Sequence, residues 1–184
     1  MGRIESLRKS YAEFISLPWA EVAPAQRVIF CVYGPEDERR LRARLEGFRA
    51  ATIDAGRGWA EHDLTDSFAE WLSGQRYALK YFESPELLED LLPRYLDSIV
   101  DGFGRFMEEK GPDANSVVAV TGAGSLFGFV KVNDMVVRLA PLVKGRLLVF
   151  FPGSCGSDSY RYRLLDANDG WNYHAVPITA GRGE

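Results

Sequence analysis

The stretch Val117–Gly153 reads VVAVTGAGSLFGFVKVNDMVVRLAPLVKGRLLVFFPG. Val117 to Val120 is an apolar, β-branched run too short for a helix. A glycine-bearing turn follows, then an amphipathic segment from about Val130 to Val143, and a second apolar run, Leu147 to Phe151. That succession is strand, turn, helix, strand, a βαβ unit whose strands are apolar on both faces and therefore buried on both. Thr121-Gly122 and Pro152-Gly153 end the two strands as turn formers. The carboxyl ends of such strands are where α/β proteins build sites.

Outward from that unit, Arg27 to Tyr33 is another buried strand, and Gly34-Pro35 turns it into a helix with proline suited to the first helical position. Glu36, Asp37 and Glu38 lie in its first turn, where negative charge meets the positive helix end. Leu41, Leu45 and Phe48 form its inward stripe. Arg39, Arg40, Arg42 and Arg44 fall largely off that stripe. They read either as a basic face for an acidic partner or phosphate, or as a solvated helix face with Glu38 and Arg42 spaced to pair.

Before the first strand, Ile4, Leu7, Tyr11, Phe14 and Ile15 recur at helical steps, and Pro18 stops that helix. Trp19 is either a partner anchor or a lid over one edge of the core. Residues 58–64 predict a further strand, with Glu61 and Asp63 on one face and His62 on the other. Thr65 is placed to cap the next helix. Ser84-Pro85 restarts helix, Pro93 bends or splits it, and Leu96, Ile99, Val100, Phe103 and Met107 continue one apolar stripe to Gly111. After Gly153 a polar loop leads to a short edge strand at Tyr160–Leu165. A last strand follows at 171–178, limited by Pro177 to an edge or an end.

Length and composition set bounds. The 184 residues, 46% hydrophobic and 26% charged, suit one globular α/β domain with a full core. A net charge of −4 argues against a broad nucleic-acid footprint. No apolar run approaches the roughly 20 residues of a membrane span, and the opening MGRIESLRKSYAEF lacks a signal peptide's apolar segment. Cys31 and Cys155 form no framework or metal spacing, so a reducing cytoplasm is expected.

The chemistry-bearing motifs are incomplete. Gly122 and Gly124 match two glycines of G-x-G-x-x-G, but Phe127 occupies the third place and Gly128 comes one residue late. Gly34-Pro35-Glu36-Asp37 carries acid where a phosphate loop needs lysine. Ser125 lies in no nucleophile elbow, and neither His62 nor His174 is placed beside it by sequence. No catalytic residue, metal or cofactor is assigned.

The stretches Ser16–Trp19, Tyr33–Arg40, Gly58-Trp59 with Asp63–Asp66, Thr121–Val132, Gly145–Gly153 and Asp166–Ile178 resemble, in their order, the BrxB proteins of bacterial BREX phage-exclusion systems. The likeness departs at Gly128 and Lys131, where that family's central loop often carries proline and arginine. It implies an intracellular defence component working beside an ATPase, an adenine methyltransferase and a PglZ-type protein.

The resulting expectation is a single three-layer α/β domain over residues 1–184. An N-terminal helix and loop would span 1–26, and a flexible tail 179–184. The sheet would be mainly parallel, with about five strands at 27–33, 58–64, 116–121, 146–151 and 171–178. It would be Rossmann-like in flavodoxin order 2-1-3-4-5, or degenerate P-loop-like with the third strand beside the first. Either order sets Tyr33-Gly34 beside Thr121-Gly122. The expected function is that of a non-enzymatic adaptor binding another BREX subunit, a PglZ-like protein first. No membrane or direct nucleic-acid contact is expected, and self-association stays open. The alternative is a nucleotide-binding or sensing protein with its site at the strands' carboxyl edge. The candidate edge comprises Gly34, Pro35, Thr121, Gly122, Gly124, Ser125, Phe127, Pro152 and Gly153. Phe127 or Leu126 is expected to be presented there, the alternative being that both fold back under the helix as a staple.

Overall fold

A computed structural model describes residues 2–19, 21, 23–156, 161–165, 167–171 and 175–181. In chain order these form α1 (Arg3–Ile15), β1 (Val28–Tyr33), α2 (Glu38–Arg42), α3 (Leu45–Asp54), β2 (Gly58–Asp63), α4 (Ser67–Ser73) and α5 (Ala78–Glu83). They continue with α6 (Leu92–Lys110), β3 (Ser116–Thr121), α7 (Val132–Leu139), β4 (Arg146–Cys155), β5 (Arg161–Leu164), β6 (Ala167–Trp171) and β7 (Val176–Thr179). The strands β2-β3-β4-β1-β7 pair in that order, and all four pairings along it are parallel. Beyond the parallel part, β5 pairs antiparallel with the end of β4, and β6 with β5.

Side-chain alternation divides each strand between two cores. Val28, Phe30 and Val32 face one side with Val118, Val120, Leu147, Val149 and Phe151, covered by Tyr95, Ile99 and Phe103 of α6 and Val132, Met135 and Leu139 of α7. Ile29, Cys31 and Tyr33 face the other with Val117, Ala119, Leu148 and Phe150, covered by Ile4, Leu7, Tyr11 and Ile15 of α1 and by Phe48 of α3. Helices thus cover both faces of a mainly parallel sheet, the three-layer arrangement that its doubly apolar strands require. No described helix is long and apolar enough to cross a membrane.

Burial explains which strands are central. All residues of β1 and β3, and Leu147–Pro152 of β4, are buried, whereas β2 and β7 are only partly covered. Pro177, which cannot donate to a ladder, sits in edge strand β7. The observed order differs from both expected ones, because β4 inserts between β1 and β3. Tyr33-Gly34 and Thr121-Gly122 are therefore separated by a strand rather than adjacent. Three equally apolar strands satisfy burial in any central order, and the pairing that wins depends on how α6 and α7 pack over them.

Other boundaries also move. Pro152-Gly153 does not end β4, which runs on to Cys155 and turns into the pairing with β5. A Cβ on Gly153 would lie 1.9 Å from the Arg163 carbonyl oxygen, so only glycine admits that approach. The arginine-rich helix is broken at Ala43-Arg44 into α2 and α3, after a 3-10 turn at Pro35–Asp37. The segment before α6 is a 3-10 stretch, Pro85–Leu91, and α6 then starts with Pro93 in its first turn. Thr65 is not the cap of α4. Asp66 holds that position, and Thr65 is instead bonded to Asp63. Thr179, expected in a flexible tail, is the last residue of β7. His174, Tyr160 and residues 182–184 lie outside the described residues.

Candidate functional site

At the carboxyl end of the parallel strands a cleft of about 520 Å³ opens between the turn after β1, the turn after β3 and β4 itself. Pro35, Gly122, Gly124, Ser125 and Pro152 line it, so five of the candidate edge residues converge although β1 and β3 are not neighbours. Gly34 and Gly153 line a smaller cavity of about 250 Å³ against α1. Thr121 is buried at the strand end, and Leu126 is fully buried while Phe127 is 40% exposed.

The Gly122 turn is built by close packing. Gly122 has φ 74°, and a Cβ there would lie 2.5 Å from the Thr65 amide nitrogen. It thus lets the end of β3 close against the end of β2. The Ser125 hydroxyl lies 2.8 Å from the Gly122 carbonyl oxygen and 2.9 Å from that of Leu64. Its proton is committed to backbone acceptors, and no base faces it in these contacts. The amides of Ser125 and Phe127 donate back to the Gly122 and Gly124 carbonyls, so they are spent inside the turn rather than offered to an anion.

Electrostatics on the cleft's other wall centre on Arg42. Its Nε donates to Glu38 Oε1 at 2.7 Å, one Nη donates to Thr65 Oγ1 at 2.5 Å, and the other reaches Asp63 Oδ2 at 3.5 Å. The Tyr33 hydroxyl donates to the second Glu38 oxygen, and the Thr65 hydroxyl to Asp63 Oδ1. Burial pushes the Tyr33 phenol far up, and the Glu38 carboxylate adds to that shift. For Asp63, partial burial acts upward, but the Thr65 hydroxyl and amide together with Arg42 hold its carboxyl below the ordinary value. Glu38 and Asp63 set two carboxylates against one guanidinium, a charge pattern that disfavours phosphate.

The arginines do not form one surface. Arg40 pairs at 2.7 Å with Asp37, which is 2% exposed, and Arg42 turns into the cleft. Arg39 and Arg44 are exposed. His62 packs edge-on against Phe103 and tilted against Phe106, with ring centroids 5.4 and 4.9 Å away, and burial depresses its pKa. Among the described residues no group of three or more His, Cys, Asp or Glu side chains is placed to hold a metal ion. Cys31 is fully buried, and burial pushes its thiol far up.

The Tyr33–Glu38–Arg42–Thr65–Asp63 network was only partly signalled in sequence. Glu38 and Arg42 stand at pairing spacing, but their link to β2 crosses 21 to 23 residues. Less visible still was the exposure of apolar side chains in residues 77–91. Neither α5 nor the following 3-10 stretch buries a residue. Tyr77, Leu79, Phe82 and Leu87 are 55, 80, 65 and 40% exposed. Compared with protein-family models, curated proteins and solved structures, the chain matches none.

Proposed function

We propose that the protein is a non-enzymatic, protein-binding component of a BREX-type phage-defence assembly, docking a PglZ-like subunit. The defence setting rests on the BrxB resemblance alone. The observation that carries the binding role is the 77–91 arm, where Tyr77, Leu79, Phe82 and Leu87 are exposed and no residue of α5 or the 3-10 stretch is fully buried. Clustered exposed apolar side chains of this kind mark interaction sites on soluble proteins. Aromatic anchors such as Tyr77 and Phe82 are the side chains that dominate protein interfaces. Phe127, 40% exposed beside the carboxyl-edge cleft, offers a smaller apolar contact.

A second reading, a small ligand or nucleotide in the carboxyl-edge cleft, draws on its volume of about 520 Å³, within the usual range of ligand pockets. Glu38 and Asp63 beside Arg42 weigh against an anionic ligand there, so the docking reading is preferred.

The test is co-purification of the protein with a PglZ-like partner, using Leu79→Ser and Phe82→Ser. Because neither side chain is buried, both variants should keep the melting temperature of the parent protein. Loss of at least about 2 kcal/mol of binding, the hot-spot scale, is expected for Phe82→Ser. Undiminished capture of the partner by both variants would remove the arm as the docking element.

A further inference from the structure

At the opposite end of the sheet, where the parallel strands begin, lies a cleft of about 570 Å³. Its lining includes Arg27 before β1, Lys144 and Arg146 at the start of β4, and Trp19 and Glu21 from the segment after α1. Among the described lining residues, three cations stand against one carboxylate, a sum of +2 on a chain whose net charge is −4. The concentration of positive charge is therefore local and opposite in sign to the molecule as a whole.

Rigid contacts hold the charges in place. The guanidinium carbon of Arg57 lies 4.2 Å from the centroid of the Trp19 ring and that of Arg146 4.9 Å, both within cation–π range. Arg57 also donates to the Asn115 side-chain oxygen and, at 3.4 Å, to the Leu17 carbonyl. Arg27 donates to the Lys144 carbonyl at 3.0 Å. These contacts orient the guanidinium groups around the Trp19 ring and the start of β4. Burial first, then the nearness of Arg27 and Arg57, lowers the pKa of Arg146, as expected where like charges crowd together.

We propose that this amino-edge cleft binds a small polyanion bearing a di- or triphosphate. Several convergent cations reward more than one negative charge, and arginine forks match phosphate oxygens in pairs. The volume is that of a small-molecule pocket rather than of an extended groove. The site is separate from the docking arm and from the carboxyl-edge cleft, so it stands whether or not the docking reading does.

Isothermal titration of the full chain with tripolyphosphate, ATP and orthophosphate tests it, at about 0.05 M and about 0.5 M salt. Tripolyphosphate and ATP should bind more tightly than orthophosphate and lose at least tenfold in affinity at the higher salt. ATP tighter than tripolyphosphate identifies a nucleoside phosphate, and equal affinities identify the phosphate chain itself. Both results support the site. Arg146→Gln should weaken binding about tenfold, the scale of one charge-assisted hydrogen bond. Lys144→Ala, at an exposed side chain, should weaken it severalfold without touching the Trp19 stack. Arg94→Gln, the same charge change at the far end of α6, should not weaken it. Absence of binding, binding indifferent to both cleft variants, or tighter binding of a glutamate-rich peptide would each overturn the proposal.

Discussion

Asp63 sits where three chain segments meet. It accepts two bonds from Thr65, lies opposite Arg42 and touches the space that Gly122 leaves open. Its carboxyl is held below the ordinary aspartate value, so its charged form is favoured by folding. The stabilisation is full above the ordinary value of about 4 and is lost as pH falls through the depressed folded value. Asp63→Asn should accordingly be less stable than the parent protein at neutral pH. The difference in urea midpoint should stay constant down to about pH 5 and shrink below about pH 4. A gap that does not change with pH would mean that the contacts at Asp63 act through shape rather than charge. At the same scale, Leu126 and Phe127 show how adjacent residues divide their roles, the first closing the core and the second facing solvent.

Among the elements, α5 and the Pro85–Leu91 stretch stand apart from the rest. The helices α1, α6 and α7 each bury a stripe of side chains against the sheet. The arm from Tyr77 to Leu91 buries none, although Leu79 and Phe82 are as apolar as any core residue. Elements with few buried contacts open locally at little free-energy cost. Amide hydrogen exchange should therefore be fast across residues 78–91 and slow in β1, β3 and β4. Addition of a docked partner should slow exchange in the arm and leave the sheet unchanged. Strong protection of the arm in the isolated protein would show that its apolar side chains are already covered.

At the scale of the molecule, one sheet separates two cores that share its strands. Phe48 and Phe103, both fully buried, anchor opposite faces. Truncating either to alanine should cost about 3–5 kcal/mol, the range for a buried phenylalanine. Because β1, β3 and β4 contribute side chains to both cores, each variant should still unfold in one transition, with fluorescence and circular dichroism coincident. Two separated transitions in Phe48→Ala would mean that α1 and α3 form a unit independent of the sheet. The two clefts lie at opposite ends of this sheet, and their charge differs accordingly. The carboxyl end sets carboxylates around Arg42, while the amino end gathers Arg27, Arg57, Lys144 and Arg146 around Trp19.

The class of the fold and its inward-facing residues follow from the amino-acid pattern alone. Runs such as Val28–Tyr33 and Ser116–Thr121, apolar at consecutive positions, have no stable place except a strand covered on both sides. Proline and glycine punctuation likewise marked α6 and the turn at Gly122, because their backbone limits are local. Tertiary structure alone decided the order β2-β3-β4-β1-β7. Parallel pairing is set by contacts between residues far apart in the chain, and β1, β3 and β4 are too alike for local preference to rank them. It also decided the sites. Arg42 meets Thr65 across 23 residues, and Trp19 meets Arg57 and Arg146 only where the ends of α1, α3 and β4 converge. Charge placement of that kind is a property of distance in space, which spacing along the chain does not encode.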